Sequence, residues 1–526
     1  MILRAVLLAV TWLAVTFALP AAAQINKDAY YSVQPWADLH PGFTNQTRPK
    51  FTLDLSGVGR EALTMRRVQI NGRTLPDGAW RVELNKLTIT PDRDLRKGLN
   101  RVEIRYDHPA DSKHKSNPVS YVFHVNYQPN PNMVRLGARG ELIVNGKPVF
   151  VVGGYRSGQV DAFVDALPSA RDSGFNLVHD YWFENQDIED DDDLDRYIQQ
   201  ARQYLGRAHQ LGLGVFLGLP RSAVSGMRGG AYNEPVLARI IAELSGEPAL
   251  WLWYIMDEPN TDKMTIADAA RVYRLIKRLD PNHPAIMLTN LPERTLEFGH
   301  FCDVLWYDRY PIIASSDRLR SLAPLSRAVH YNRKMVPEKP LWLVLQGHDA
   351  RASRSVRRKM PGLSMPSDSD HRPNEAEVRA QAHLAIAQGL MAVVYYWGPD
   401  SWYSMRDDTP GVWKSFSTVM HELRELEPVL LSTQPVPEFH IAGGNDKVVM
   451  WSRALNDRVC VGLVNTSCHV PSRLSIAPIS GVGRAEQVLG DGEVQFGDRE
   501  AAVELGPAGV VVLEWNVSNA HASQAR

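Results

Sequence analysis

The feature that most constrains the fold is a regular alternation of apolar strands and amphipathic helices between about residues 132 and 428. The predicted strands are Val149–Gly154, Asn176–Asp180, Gly214–Leu219, Leu250–Met256, Ala285–Thr289, Asp303–Tyr307, Leu341–Gln346 and Met391–Trp397. The predicted helices between them include Leu194–Leu211, Glu234–Leu244, Ile266–Leu279 and Glu375–Ala387. Eight strands that alternate with helices over roughly 290 residues predict a (β/α)8 TIM barrel. A doubly wound open sheet is the alternative, but no Gly-rich phosphate turn follows the first strand.

Both ends of the chain show short period-two segments broken by turn residues. Residues 24–131 contain several of them and the strong hairpin turn Asn71-Gly72, which together predict a β-sandwich. The run Leu87-Thr88-Ile89-Thr90-Pro91, followed by Gly98-Leu99-Asn100-Arg101-Val102-Glu103-Ile104, resembles bacterial immunoglobulin-like modules of extracellular enzymes. Pro428 predicts a boundary, residues 429–517 predict a smaller β-sandwich, and residues 518–526 predict a disordered tail. The predicted fold class is therefore α/β, a TIM barrel flanked by an N-terminal immunoglobulin-like sandwich and a small C-terminal sandwich.

Residues 1–23 predict a cleavable secretory signal. Arg4 supplies its charged start, Ala5–Ala18 its apolar core, and Ala21-Ala22-Ala23 the small-residue cleavage site before Gln24. The pattern indicates a periplasmic or secreted protein, and the absence of a Cys after the apolar core disfavours lipid attachment. No other stretch of about twenty apolar residues occurs, so membrane insertion is not predicted.

Composition narrows the classes of partner. The net charge of -1 over 526 residues offers no electrostatic reason to bind nucleic acid or an anionic membrane. The 13 Trp and 18 Tyr residues suit a protein that binds the faces of sugars, although they also suit a core. Of the three cysteines, Cys460 and Cys468 could pair and leave Cys302 free, and their spacing is not that of a metal site. The oligomeric state is left open.

The segment Ala249–Asn260 is a buried-strand pattern that ends in two acids, Asp257 and Glu258, and a proline. α/β barrels place their chemistry at the carboxyl ends of the strands, and several of these ends carry polar groups mixed with aromatic residues. Such a rim suits a carbohydrate cleft, because glycosidic cleavage needs a carboxyl that protonates the leaving oxygen and usually a second one. An adjacent pair of acids can also keep one member protonated.

The segment Trp253-Tyr254-Ile255-Met256-Asp257-Glu258-Pro259, in this layout, resembles the fourth-strand motif of clan A glycoside hydrolases. The resemblance implies that Glu258 is the acid/base residue. It also implies that Trp397, in Val394-Tyr395-Tyr396-Trp397-Gly398, is a substrate platform. The segment Asp303–Pro311 is similar to the sixth strand of the clan, so that Tyr307 or Tyr310 would orient the nucleophile.

Two departures from that pattern leave the mechanism open. Asp257 stands where the clan has Asn, and Gln346 ends the seventh strand where the clan has its nucleophilic Glu. Asp308 could act as the base of an inverting reaction, Asp349 could replace the nucleophile, or Asp257 could support a substrate-assisted reaction. A catalytically inactive carbohydrate-binding barrel is the main alternative, and a structural or assembly factor is a third.

The predicted site contains no metal and no cofactor. The predicted catalytic residues are Glu258, Asp257 and Asp308, and the predicted substrate-binding residues are Tyr155, His179, Asp180, Trp182, Tyr307, Tyr310, Gln346 and Trp397. The letters Asn233-Glu234-Pro235 repeat the acid/base motif, but we predict a helix cap there. The run Glu189–Asp193 predicts an acidic helix start, with calcium binding as the alternative. Basic residues between Arg351 and Lys359 predict either an anionic-sugar contact or a solvated loop.

Overall fold

The computed structural model describes residues 42–54, 64–83, 86–107, 118–156, 163–225, 232–259, 264–312, 320–348, 372–398, 410–479, 482–498 and 500–517. The predicted signal segment, the predicted tail, Asp349 and the basic residues after it lie outside these residues. By internal contacts the chain divides into an N-terminal unit and a larger unit that contains the barrel.

The N-terminal strands form two sheets, in which most of the paired strands are antiparallel. The strands are β1 (Phe43–Thr44), β2 (Phe51–Asp54), β3 (Thr64–Ile70), β4 (Arg73–Thr74), β5 (Trp80–Glu83), β6 (Lys86–Ile89), β7 (Gly98–Asp107) and β8 (Pro118–Tyr127). Their order is β1-β8-β7-β3-β4 in one sheet and β2-β6-β5 in the other. Phe51 and Phe123 meet edge to face at 6.2 Å and join the two sheets in one core. Asn71 and Gly72, both with positive φ, form the predicted hairpin turn between β3 and β4.

Eight parallel strands close into the predicted barrel. They follow a small three-stranded sheet, β9 (Val134–Leu136), β10 (Leu142–Val144) and β11 (Lys147–Val149). The barrel strands are β12 (Val151–Arg156), β13 (Leu177–Asp180), β14 (Gly214–Gly218), β15 (Leu250–Asp257), β16 (Ala285–Thr289), β17 (Val304–Asp308), β18 (Leu341–Gln346) and β19 (Ala392–Gly398). Each pairs with the next, and β12 pairs with β19 to close the sheet. The TIM-barrel prediction is confirmed, together with its additional β-sheet domains.

Helices cover the outside of the barrel. The described helices are α1 (Phe163–Asp172), α2 (Asp191–Gln210), α3 (Arg221–Val224), α4 (Glu234–Leu244), α5 (Ile266–Leu279), α6 (Pro292–Phe298), α7 (Ala323–Met335), α8 (Glu375–Ala387) and α9 (Pro410–Leu431). Asn233 caps α4 by accepting a hydrogen bond from the amide of Val236, as predicted for the second Asn-Glu-Pro. Asp190 caps α2 above its acidic first turn. Pro428 does not end a helix: α9 continues through it to Leu431.

Side chains of the barrel strands alternate between two cores. Residues that point to the barrel axis include Phe216, Tyr254, Trp306, Trp342 and Val394, which form an inner cluster. Their sequence neighbours pack outward against the helices in a second, larger cluster. Because the direction reverses at every residue, the strand register decides which rim side chains face the barrel mouth.

The C-terminal residues form two four-stranded sheets. The strands are β20 (Phe439–Gly443), β21 (Val448–Leu455), β22 (Arg458–Asn465), β23 (Ser472–Pro478), β24 (Val482–Gly490), β25 (Glu493–Phe496), β26 (Ala501–Leu505) and β27 (Val510–Val517). Their orders are β20-β23-β26-β25 and β21-β22-β27-β24. Trp451 of β21 donates a hydrogen bond of 3.1 Å to Nδ1 of His383 in α8, which ties this module to the barrel helices.

The cysteines do not form the pair that the sequence allows. None of Cys302, Cys460 and Cys468, all within the described residues, forms a disulfide. Cys460 faces the core from β22, and its thiol contacts the carboxylate of Glu514 at 3.5 Å. Of the described helices, none has the length and the apolar content to cross a membrane.

Candidate active site

The acid-ended strand β15 changes direction just before its last residue. The register between β15 and β16 shifts between Tyr254 and Asp257, which indicates a bulge. Tyr254 faces the inner cluster, whereas Ile255 and Met256 both belong to the outer one. The bulge therefore returns Asp257 to the side of Tyr254, whose hydroxyl donates a hydrogen bond of 2.9 Å to Oδ1 of Asp257.

Glu258 has a backbone conformation that is rare for a residue with a side chain. Its φ is +44°, in the left-handed region, and its amide donates to the carbonyl of Leu288 at 3.1 Å. A glutamate whose backbone lies in the left-handed region is strained, and backbone strain of this kind clusters at functional sites. The side chain is partly exposed, at the carboxyl end of the barrel where the fold places its chemistry.

The carboxyl group of Asp308 shares a hydrogen bond with that of Glu258. Asp308 ends β17 and is buried. Its Oδ1 accepts no hydrogen bond from the described residues. Burial raises the pKa of Asp308 well above its usual range, and the charges of Glu258 and Asp257 raise it further. The pair therefore retains one proton at a pH where an isolated acid has lost it.

A hydrogen-bonded tyrosine pair supports Asp308 from the other side. The hydroxyl of Tyr310 bonds to Asp308 and to the hydroxyl of Tyr155. Burial raises the pKa of both tyrosines well above the ordinary value, so both keep their protons. The Tyr155 ring also stacks on Tyr396 at 5.1 Å. The structure thus brings Tyr155, Tyr310, Asp308 and Glu258 together in one connected group.

Asp257 is held by a second set of donors. Arg221, the first residue of α3, contacts Oδ2 of Asp257 at 3.5 Å, while Tyr254 occupies Oδ1. The hydroxyl of Tyr181 also bonds to this carboxyl group. Burial and the charge of Glu184 raise the pKa of Asp257, and Arg221 with the two tyrosines opposes them.

Glu184 and His179 lie behind Arg221. Oε2 of Glu184 accepts a hydrogen bond of 3.1 Å from Arg221, and Oε1 lies 2.8 Å from Nε2 of His179. Nδ1 of His179 lies 2.7 Å from the carbonyl oxygen of Phe216. Both ring nitrogens are therefore engaged by the protein itself. His179 was predicted to bind substrate, but it occupies the interior of the network.

The predicted platform residue Trp397 points away from the barrel mouth. It belongs to the outer cluster, where its ring stacks on Phe175 at 6.4 Å and meets Trp413 at 4.8 Å. Tyr396 has the opposite direction and packs against the inner cluster. Two bulky aromatic residues stand next to each other in β19, and only the register shows which one faces inward. Tyr396 is therefore the inward aromatic residue of this pair, and the platform role of Trp397 stays a prediction.

Three other predicted substrate-binding residues also lie away from the mouth. Tyr307 belongs to the outer cluster, so Tyr310 is the tyrosine beside the acids. Asp180 is buried, and its Oδ1 accepts a hydrogen bond of 2.9 Å from the amide of Trp182. Trp182 packs edge to face on Phe183 at 5.0 Å in the outer cluster. Asp180 ends β13, and Trp182 lies in the turn that follows it.

Gln346 ends the seventh barrel strand, β18, and its side chain is fully buried. Its amide donates to the carbonyl of Ile312 at 2.9 Å and to that of His348 at 3.2 Å, and its Oε1 accepts from the amide of Ile312 at 2.8 Å. The side chain therefore fastens the segment after β17 to β18. Because the side-chain amide of Gln346 is engaged by these backbone groups, the geometry does not support its predicted contact with a sugar.

Sequence reasoning missed Glu184, Arg221, Tyr254 and Tyr396. Glu184 could have been noticed as an acid set among aromatic residues just beyond a strand end, and Arg221 as a base just beyond the next strand. Asp349, the other candidate acid, lies outside the described residues. Within the described residues, no group of three or more His, Cys, Asp or Glu side chains is arranged to hold a metal ion.

No protein-family model matches this chain, and no curated protein matches it. Among solved structures, it is similar to a glycoside hydrolase family 5 protein from Bacteroides vulgatus ATCC 8482, with a TM-score of 0.50 and 17% identity over 74% of this chain and 94% of that one. It is also similar, with a TM-score of 0.46 and 11% identity, to an alpha-amylase from Geobacillus thermoleovorans, over 69% of this chain and 98% of that one. A family 30 subfamily 8 xylanase from Clostridium acetobutylicum has a TM-score of 0.40, at 13% identity over 70% and 96%. At these identities, the likeness concerns the barrel fold.

Proposed function

We propose that this chain is an exported glycoside hydrolase that cleaves O-glycosidic bonds in a polysaccharide or oligosaccharide, with Glu258 as the general acid. The observation that carries the proposal is the carboxyl pair of Glu258 and Asp308 at the carboxyl end of the barrel. Such a pair keeps a proton available at neutral pH for transfer to a glycosidic oxygen. The likeness of the fold to a glycoside hydrolase and the secretory pattern of residues 1–23 support it.

In the proposed reaction, Glu258 gives its proton to the glycosidic oxygen as the bond between that oxygen and C1 of the sugar breaks. The electron pair of the bond stays on the leaving oxygen, and C1 gains positive charge. The carboxylate of Asp257, oriented by Tyr254 and Arg221, stabilises that charge. Water, directly or after attack by a substrate acetamido group, supplies a hydroxyl to C1 and returns a proton to Glu258. Tyr396 offers the aromatic face that the sequence assigned to Trp397.

The contact between Glu258 and Asp308 bears on the role of Asp308. Carboxyl groups that act from opposite faces of a sugar stand about 5–5.5 Å apart in retaining enzymes and about 6.5–9.5 Å apart in inverting ones. Asp308 instead interacts directly with Glu258, through charge and a side-chain hydrogen bond. We therefore assign Asp308 to holding the proton on the pair, and leave the opposite face to Asp257 or to substrate assistance.

A second function is favoured by one observation. The seventh strand ends in Gln346, whose amide is occupied by backbone partners, so this position supplies no nucleophile. A barrel that binds carbohydrate without cleaving it has the same feature. Glycan binding without turnover, unchanged in Glu258→Gln, favours this second function.

The test is a screen of the purified protein on polysaccharides and oligosaccharides, including uronic-acid polymers, with release of reducing ends as the readout. Glu258→Gln is expected to lower turnover by about 10²- to 10⁴-fold, the usual contribution of a general acid. Glu234→Gln is the matched control, because Glu234 lies in the second copy of the motif and opens α4 instead of ending a strand. Equal activity of Glu258→Gln and the wild type would contradict the proposal.

A further inference from the structure

Arg221 connects two carboxylates that come from different elements of the barrel rim. Its guanidinium contacts Glu184, after β13, at 3.1 Å and Asp257, at the end of β15, at 3.5 Å. A third contact, at 3.2 Å, joins it to the side chain of Asn185. Its side chain is 19% exposed and that of Glu184 is completely buried. In such surroundings one cation between two anions is fixed in place, because an unpaired buried charge is costly.

The position of Glu184 is itself fixed from behind. His179 holds Oε1 of Glu184, and the backbone carbonyl of Phe216 holds the far side of the His179 ring. The ring also stacks on Phe216 at 4.5 Å. A methyl group on Gly218 would lie 2.4 Å from Cγ of Glu184, so the Glu184 side chain packs directly against the backbone of Gly218. Glu184 therefore acts as a rigid counter-ion for Arg221.

We propose that Arg221 and Glu184 are positioning residues that hold the carboxylate of Asp257 in one orientation at the reaction centre and together set its charge. The inference rests on the proposed hydrolysis. Arg221 attracts the ionised form of Asp257, and Glu184 both fixes Arg221 and repels Asp257. The two residues therefore set the charge of Asp257 in opposite directions.

The groups that face Asp257 come from every neighbouring element. They are Tyr155 of β12, Tyr181 and Glu184 after β13, Arg221 of α3, Tyr254 of β15 and Asp308 of β17, beside its chain neighbour Glu258. The tyrosines keep their protons across the working range, because burial raises their pKa well above the ordinary value. Changes in the charge at Asp257 on mutation therefore reflect mainly Arg221, Glu184 and the acid pair.

The experiment measures the pH dependence of kcat/KM in the full chain. The acid limb reports the group that must be ionised, here Asp257. Glu184→Gln removes a repelling charge and is expected to move this limb to lower pH. Arg221→Met removes an attracting charge and is expected to move it to higher pH. Each shift should be about 1 pH unit, the usual effect of an adjacent charge.

Matched control variants and one conservative variant distinguish a positioning role from a general loss of structure. Glu243→Gln and Arg202→Met break the ion pair between Arg202 and Glu243 on the outer helices, and should leave the limb in place. Arg221→Lys keeps the positive charge but loses the planar guanidinium that contacts both carboxylates. It should therefore lower kcat and leave the acid limb of the pH profile almost unshifted. The inference would be overturned if the acid limb of the pH profile shifted in the same direction in Glu184→Gln and Arg221→Met, or if it did not shift in either variant.

A wild-type protein without hydrolysis on any glycan would contradict the proposed function, and a second readout then decides the inference. The ¹³C carboxyl resonance of Asp257, identified by its loss in Asp257→Asn, is titrated in aspartate-labelled protein. Opposite displacements of its midpoint in Glu184→Gln and Arg221→Met support the inference. Coincident midpoints in the two variants overturn it.

Discussion

Asp308 and Glu258 come from different strands of the barrel, yet their carboxyl groups share a hydrogen bond at its mouth. Asp308 is buried and Glu258 is partly exposed, so the pair has an inner member that retains a proton and an outer member that can reach a ligand. Like-charge repulsion between two such acids opposes the ionisation of both together, so the pair keeps one proton above the pH at which an isolated acid loses it. The pair therefore acts as one proton donor.

Replacing Asp308 by Asn should shift the alkaline limb of the pH profile of hydrolysis. The substitution removes one of the two acids whose mutual repulsion keeps one proton on the pair, so that proton is lost, and activity with it, at lower pH than in the wild type. The measurement is kcat/KM across pH 4 to 9. An alkaline limb that stays in place, or moves to higher pH, would show that Asp308 does not control the proton of Glu258.

The same substitution should stabilise the fold at neutral pH. The pKa of Asp308 is raised in the folded chain, so above about pH 4 the unfolded chain releases this proton first, and the native state loses stability as the pH rises toward the folded pKa. Asp308→Asn avoids that loss. We expect a gain of about 1 kcal/mol in the free energy of unfolding at pH 7, which disappears near pH 4. Urea unfolding at both pH values tests this, with the exposed Asp172→Asn as control.

Tyr396 and Trp397 should respond to truncation in opposite ways. Tyr396→Ala removes an inward ring at the mouth and should raise the KM for a glycan about tenfold, with a small change in stability. Trp397→Ala removes a buried outward ring and should cost about 3–5 kcal/mol of stability. Glycan affinity and urea unfolding of both variants are the measurements. The reverse pattern would restore Trp397 as the platform.

Cys302 and Cys460 should be unreactive in the native protein. Burial raises the pKa of Cys302 to about 12, and burial together with the charge of Glu514 raises that of Cys460 to about 12. At pH 8 both therefore remain protonated and react slowly with Ellman's reagent. Unfolding without a reductant should release three reactive thiols. A count of one would instead reveal a disulfide between Cys460 and Cys468.

Much of the barrel was predictable because its strands are buried on both faces and read as continuous apolar runs. Two of the predicted strands, Ala285–Thr289 and Leu341–Gln346, have the observed bounds, as do three helices that begin after Asn233, Thr265 and Asn374. Capping side chains mark these helix starts in the sequence. Pro428 lies inside α9, which continues to Leu431, so the helix ends five residues later than the predicted Leu426.

The sequence by itself determined where the strands and helices lie and that acids end the fourth and sixth strands, because burial and capping act on neighbouring residues. Only the tertiary structure decided which side chains share the mouth. Closure of the barrel joins Asp308 to Glu258, and a bulge returns Asp257 to the side of Tyr254. The register turns Tyr396 inward and Trp397 outward. These relations depend on how strands that are distant in sequence pair with each other, because a register shift of one residue turns every side chain of a strand to the opposite face.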